Sequence, residues 1–586
     1  MNYKLRKFEK GERKTTVGTA FKSLKPLLVD EKRPLIFALI AIVINSAVNL
    51  LSPYIIARTI DTYIATKNFH GVLMFAGLLS VVYVFGLSAG YLQVKIMGGV
   101  GRRVLFKLRN AIFTKLQELP VAFFNANKAG DLISRINNDT DKLNQFFSQA
   151  LVQFAGNAFL ILGAGIFLLS LNLKLGIAAL VPALIVLFIT QFVSAWIKNT
   201  STKSLQTIGG MSGEIQESLA NFKVIVAFNR LDYFRKKFHE VNQENYTASI
   251  KAGVASNVLT PIYGIASNAA QVVVLSYGIA LIVSGQLSVG LLIGFILYVN
   301  NFYMPLRQIA SIWSSFQLSL ASLDRISEVL DLKSTIKVIE NQKKNIGTGI
   351  LTFERVFFNY SDGHDVLRDV SLTFQKGKTY ALVGPTGGGK TTTASLMARL
   401  YDPTMGTIYL DGKDIRTFET SERAKRIGFI LQEPFLFTGT VGENILYGNE
   451  EYQGYSSEKL LALLTERELD SLLARFEKGL DTKVGGGGES ISLGQKQLIA
   501  FMRAVLRRPE ILILDEATAN IDTVTEQLLE EILQKLPAET TKVIIAHRLN
   551  TIQNADDIFF VNAGSVVHAG SFDHALEMLM SGKRTS

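Results

Sequence analysis

The stretch TYALVGPTGGGKTTTASLMARL, residues 379–400, decides how the C-terminal half is read. A short apolar, strand-forming run leads into a glycine-rich loop, and the loop leads into a helix-forming run. Gly384-Pro385-Thr386-Gly387-Gly388-Gly389-Lys390-Thr391 satisfies G-x-x-x-x-G-K-[ST], in the strand-loop-helix context that the pattern requires. Glycines let the backbone wrap a phosphate, whose charge meets amide N–H groups and a helix N-terminus. Lys390 is then expected at the β- and γ-phosphates, the Thr391 hydroxyl on Mg²⁺, and Thr392 beside them in the ATP-binding loop.

Around this loop, short β-rich runs (LTFERVFF, ILILDEA, KVIIAHR) alternate with helical patterns such as TEQLLEEILQKL. That alternation indicates an α/β domain with a mainly parallel sheet. ILILDE, residues 511–516, is an apolar strand ending in two carboxylates. Asp515 at the strand end is placed to hold Mg²⁺, and Glu516 to polarise an attacking water as general base. The alternative is a solvated acidic pair that opens a helix at Ala517.

More than three hundred residues precede the loop, and their composition is different. Hydrophobic residues make up 48% of the 586-residue chain and charged ones 19%, a balance that suits a membrane protein. Apolar runs fall near 35–60, 70–97, 146–170, 173–198, 255–283 and 288–316. Each is long enough to cross a hydrocarbon core that takes about 20 helical residues. The connections after the first, third and fifth runs hold few basic residues. The two long ones hold many, among them Arg102, Arg103, Arg109, Lys198, Lys203 and Arg235. Both long loops and both termini are therefore expected in the cytoplasm.

The chain carries +11 overall, and residues 1–34 contribute ten basic against four acidic side chains. A basic segment just ahead of the first span fits anionic lipid better than nucleic acid, so no nucleic-acid partner is expected. With no cysteine, disulfides, Cys-ligated zinc and thiol catalysis are excluded. The first apolar run is too long for the core of a cleavable signal. The expected fold is a multidomain membrane protein. An all-α six-helix transmembrane domain (1–330) is followed by an α/β P-loop ATPase domain (331–586).

Nearly the whole chain resembles ABC transporters of the exporter type, in which six membrane helices and one nucleotide-binding domain share a polypeptide. ISLGQKQ (491–497) is similar to that family's L-S-G-G-Q signature: Ser492, Gly494 and Gln495 match, and Leu493 replaces a glycine. The resemblance implies that this signature binds the γ-phosphate of ATP held by a second nucleotide-binding domain. It assigns Tyr360 to adenine stacking and Gln432 to the loop that senses Mg²⁺. Asp522 matches the D-loop aspartate, and His547 the switch histidine at the γ-phosphate. Together with Glu516, His547 is thus a candidate catalytic residue, and Thr391, Gln432 and Asp515 are candidate Mg²⁺ ligands. Segments 119–143 and 213–238 resemble the two intracellular loops, with coupling helices expected near 123–130 and 221–229.

The resemblance implies MgATP-driven export of a hydrophobic or amphipathic substrate (drug, lipid or small peptide) by a dimer of half-transporters, each a multi-pass protein of a bacterial inner or plasma membrane with its nucleotide-binding domain in the cytoplasm. A channel, a sensor or an importer of the same architecture remains open. So does the partner, an identical copy or a second half-transporter. VGGGG places Gly486 where the family often has a glutamate, and with Leu493 this resembles the catalytically complete half of a heterodimer. Polar residues within the spans (Asn45, Asn49, Asn157, Gln191, Asn268, Gln271, Asn300, Asn301) are expected mostly in interhelical hydrogen bonds. Pro305 is a potential kink, and Tyr263, Phe302 and Tyr303 are expected to line a cavity or to face lipid.

Overall fold

Among the described residues, six helical stretches are long and apolar enough to cross a bilayer: Val29–Ile64, Phe69–Gln117, Ala129–Leu171, Leu173–Ala220, Leu231–Val283 and Val289–Ile312. The computed structural model describes residues 3, 5, 29–334, 336, 338–340, 349–360, 363–486, 490–515, 523–545 and 553–581. These form two compact units. One holds the described residues of Leu5–Gln117 and Ala129–Leu332; the other holds those of Met1–Lys4, Glu118–Lys128 and Lys333–Ser586.

In chain order the first helices are α1 (Lys32–Thr59), α2 (Phe69–Gln117), α3 (Val121–Ala126), α4 (Ala129–Ser134), α5 (Thr140–Gln145), α6 (Leu151–Leu171) and α7 (Leu173–Ala220). They are followed by α8 (Phe222–Ala227), α9 (Leu231–Asn257), α10 (Leu259–Val283) and α11 (Val289–Leu330). The 49 residues of α2 extend about 74 Å, more than twice a hydrocarbon core. The helix outlasts its apolar run because one stripe keeps a four-residue spacing. Val100, Val104, Leu108 and Ile112 are fully buried, while basic side chains occupy the other faces. Helix α11 runs unbroken through Pro305.

Polar contacts tie distant helices of this unit. Asp61, in a π-turn at the end of the first span, accepts from Ser288 Oγ and, at 2.7 Å, from the Gly290 amide. It thereby satisfies one of the amides that the first turn of α11 leaves open. A Cβ on Gly290 would overlap the Ala57 carbonyl, so glycine permits the approach. Tyr303 donates to Ala179 O at 2.8 Å, and Tyr263 Oη lies 3.3 Å from Thr190 Oγ1. Both rings are buried inside the bundle, which corrects their expected place in a cavity or against lipid. Buried phenols need a hydrogen-bond partner, and neighbouring helices supply one. Where the chain leaves the lipid, buried Arg135 donates to Asp131 (3.0 Å), Glu328 (2.9 Å) and the Arg325 carbonyl (2.6 Å), clamping the first long loop to the end of α11.

Among its described residues, the C-terminal unit is built on two larger sheets, beside a small antiparallel pair of β7 (Gly439–Thr440) and β8 (Lys483–Val484). A four-stranded one is ordered β2-β1-β4-β5, with β1 (Leu351–Asn359), β2 (Asp365–Phe374), β4 (Met405–Leu410) and β5 (Lys413–Asp414). A six-stranded one is ordered β12-β11-β3-β10-β9-β6. Its strands are β3 (Thr379–Val383), β6 (Ile427–Ile430), β9 (Ile511–Asp515), β10 (Thr541–Ile545), β11 (Asp557–Asn562) and β12 (Ser565–His568). The β11-β3-β10-β9-β6 pairings are all parallel. Helix α12 (Lys390–Met397) is sandwiched between the sheets in a core with Phe353, Phe374, Leu382 and Ile513. A second core packs α13 (Leu493–Leu506) and α14 (Thr523–Gln534) against β9.

Candidate functional site

Parallel strands all deliver their following loops at one edge, and ligands of α/β sheets bind there. Register makes this concrete. Leu382, Ile545 and Asp515 form one row across β3, β10 and β9, and Ile430 of β6 pairs with Leu514. The glycine-rich loop therefore leaves β3 at the same sheet edge as the carboxylate that ends β9, with β10 between them.

Gly384 has φ +142, and a Cβ there would overlap the carbonyl oxygen of Val561 on β11. Only glycine fits both the dihedral and the space. The loop closes at Gly389, the residue that caps α12, and Lys390 opens that helix. Lys390 is 6% exposed, and its ammonium donates to Gly384 O at 2.8 Å and Pro385 O at 3.0 Å. Pro385, Thr386, Gly387 and Gly388 complete the turn. Thr391 Oγ1 donates to Asp515 Oδ1 at 3.2 Å. Two hard oxygen donors that meet across 124 residues, one of them a carboxylate 5% exposed, are a fitting pair for a Mg²⁺ ion. Gln432 lies exposed in the loop after β6, on the same side of the sheet.

Tyr360 follows β1, and its hydroxyl is 3.0 Å from Thr392 Oγ1 on α12. Its ring meets Phe358 and Tyr401 edge-on, with centroids 4.9 and 5.4 Å away. Ser492 and Gln495 form a separate local cluster at the start of α13. Ser492 Oγ accepts from the Gln495 amide at 3.2 Å, Gln495 Oε1 accepts from the Ser492 amide at 2.9 Å, and Gln495 Nε2 donates to Arg475 O. This reciprocal capping box presents Leu493 and Gly494 in the first helical turn. Glu516, Asp522 and His547 lie outside the described residues, as do three residues after Gly486.

One contact was not signalled by sequence. Helix α3 belongs to the C-terminal unit, and Asn125 Nδ2 donates to Tyr401 Oη at 2.6 Å. These residues and Tyr360 line a cleft of about 500 Å³. Burial raises the Tyr401 phenol above its ordinary range, and the bond from Asn125 partly offsets this. In the segment where a first coupling helix is expected near 123–130, the structure has α3 at Val121–Ala126, because Pro120 sets its start and extended Asn127 ends it. Helix α8 falls within the 221–229 expected for the second. Tyr401→Phe keeps the ring packing and deletes one hydrogen-bond acceptor worth about 1 kcal/mol. Amide hydrogen exchange over 121–127 should accelerate about fivefold, with the melting temperature of the purified protein almost unchanged. Unchanged exchange would show that the hydroxyl does not hold α3.

Comparison with known proteins agrees with this geometry. Residues 35–306 match the family model described as ABC transporter transmembrane region, and residues 367–519 the one described as ABC transporter. The chain is 34% identical over 576 residues to an uncharacterised ABC transporter ATP-binding protein, YfiC, of Bacillus subtilis, covering 97% of this chain and 94% of that one. It is 32% identical over 504 residues to a fatty acid ABC transporter ATP-binding/permease protein of Mycobacterium bovis (86% and 79% covered). It is 30% identical over 574 residues to an ATP-dependent lipid A-core flippase of Pasteurella multocida (96% and 97% covered).

Proposed function

The chain belongs to the ABC transporter family, as an exporter-type half-transporter with its ATP-hydrolysing unit on the cytoplasmic side of a multi-pass membrane domain, and on that premise we propose that two such chains export a hydrophobic or amphipathic compound by alternating access. The observation that carries this is the meeting of Thr391 and Asp515 at 3.2 Å beside Lys390, in a chain that also has six spans.

In this reading Lys390 and the loop amides neutralise the β- and γ-phosphates, and Tyr360 stacks on adenine. Thr391, Asp515 and Gln432 would hold Mg²⁺, which would supply positive charge to the phosphate oxygens. Glu516 takes the proton of the attacking water, and His547 stabilises charge on the γ-phosphate. Ser492, Gly494 and Gln495 act across the dimer on the other chain's ATP, with Asp522 at the same junction. ATP thus favours the closed pair of cassettes and biases the spans toward one state. An apolar patch supports a partner chain. Leu219, Phe222 and Phe228 are 70, 53 and 75% exposed at the tip of the second long loop, outside the lipid-length part of the spans.

A relative named for a fatty acid and another named for lipid A-core point to acyl amphiphiles as the substrate class. The domain division at 330/331 remains the functional boundary proposed. Leu493 puts a branched side chain in the first turn of α13 and Gly486 removes a charge, which favours a non-identical second half-transporter. Purification from native membranes should return a second polypeptide; a single species would favour the homodimer.

The decisive experiment uses sealed liposomes with the cassettes outward. MgATP should drive a fluorescent acyl probe into the lumen, and MgADP should not. Equal movement with both nucleotides would defeat the export reading.

A further inference from the structure

From a band of amides at mid-membrane depth we infer that the transported compound is read by a neutral, hydrogen-bonding head group and not by its charge. This rests on the export reading and narrows its acyl-amphiphile class to uncharged head groups, against a free fatty acid. Gln271 of α10 and Asn300 of α11 each lie about a dozen residues from the tight connection between those helices, roughly 17 Å along the axis and so close to the bilayer midplane. Gln271 Nε2 donates to Asn300 Oδ1 at 2.9 Å. One residue on, Asn301 Nδ2 donates to the Asn49 carbonyl at 2.9 Å, joining α11 to α1. Three helices are thus stitched at one depth by side-chain amides.

These bonds do not bury the amides. Asn49 and Asn300 are exposed, and Gln271 and Asn301 half-exposed. A carboxamide offers two N–H donors and an oxygen with two lone pairs, and each bond described uses only part of that capacity. Lipid tails provide no partner for the remainder, so a lipid-facing amide at this depth is unfavourable. The same face turned to a ligand path costs nothing of the kind, because a polar head group completes the bonding.

Charge narrows the class. Residues 35–57, 71–94, 143–173, 175–197 and 252–306 contain no Asp, Glu, Lys or Arg. At the level of the amides the spans therefore offer no counter-ion to an ammonium or a carboxylate. A desolvated charge without a partner is strongly disfavoured, whereas an amide or hydroxyl head exchanges one set of hydrogen bonds for another. The matched ligand is a long-chain amphiphile with an uncharged amide or hydroxyl head.

The test uses three probes of one chain length: a C18 primary fatty amide, the C18 fatty acid and a C18 trimethylammonium amphiphile. Binding to the full-length protein in nanodiscs is read without nucleotide, with probe expressed as its mole fraction in the lipid to remove differences in partitioning. The amide should bind at least tenfold more tightly than either charged probe. Gln271→Leu with Asn300→Leu should reduce that preference to about twofold. Asn300→Asp, which places an acid on the same patch and tests the idea even if the leucine pair misfolds, should turn the preference toward the trimethylammonium probe. Equal or tighter binding of a charged probe, or an unchanged preference in these variants, overturns the assignment. Because binding is read without ATP, a failure of ATP-driven transport would instead count against the export reading alone.

Discussion

Lys390→Ala should lower MgATP hydrolysis by about two to three orders of magnitude in the reconstituted protein. The ammonium is almost fully buried at the mouth of the loop, held 2.8 and 3.0 Å from the carbonyls of Gly384 and Pro385. It is the fixed positive charge of a loop that otherwise offers only amide dipoles. Removing one preorganised donor from a site of developing negative charge costs about 10²–10³ in rate. Alanine also deletes the two bonds to the loop, so phosphate release is to be measured alongside thermal unfolding. A melting temperature within a few degrees of the parent isolates the electrostatic effect. Lys390→Arg is not a rescue, because a planar fork cannot replace a compact point charge in so enclosed a turn. Retention of more than a tenth of the parent rate in the folded alanine variant would remove Lys390 from the phosphate site.

Glu516→Gln should preserve nucleotide affinity and collapse turnover. Glu516 directly follows Asp515, whose carboxylate is fixed against Thr391 at the end of β9. Glutamine keeps the shape of the side chain and loses its basicity. General-base catalysis contributes about 10²–10⁴, so kcat should fall by that factor while KM for ATP changes less than threefold. The split matters, since Lys390→Ala should damage both quantities. If Glu516 is only half of a solvated acidic pair, kcat will be unaffected and the base must be sought elsewhere, with the phosphate loop unharmed.

Legibility differed between elements. The six spans could be read because charge-free runs of sufficient length have few alternatives to crossing a bilayer, and the α/β unit because strand and helix patterns alternate. Ends were less legible. Helix α2 continues to Gln117 on a buried stripe spaced four residues apart and interleaved with basic residues, which a hydropathy reading passes over. Pro120 and Asn127 moved α3 ahead of its expected position. Tyr263 and Tyr303 were misjudged because a tyrosine's identity does not reveal whether a neighbouring helix brings an oxygen to its hydroxyl. Of the expected interhelical amide bonds, Gln271–Asn300 and Asn301–Asn49 are present. Asn49 itself donates to Asn45 O within its own helix. The Asn157 amide nitrogen is buried without a hydrogen-bond partner among the described residues.

Taken alone, the amino-acid order determined what is local: the length and neutrality of the spans, the turn that Gly384 to Thr391 must make, and the capping pair Ser492 and Gln495. These follow from backbone sterics, solvation and contacts three or four residues apart, which any chain with those residues would share. Tertiary structure alone decided the partners of Asp61, Arg135 and Tyr401, which lie 229, 193 and 276 positions away in Gly290, Glu328 and Asn125. The same is true of the strand register that sets Asp515 beside the phosphate loop. Each such side chain has many chemically equivalent partners in the sequence, and only the packing of whole helices and strands, driven by burial of their apolar faces, selects one.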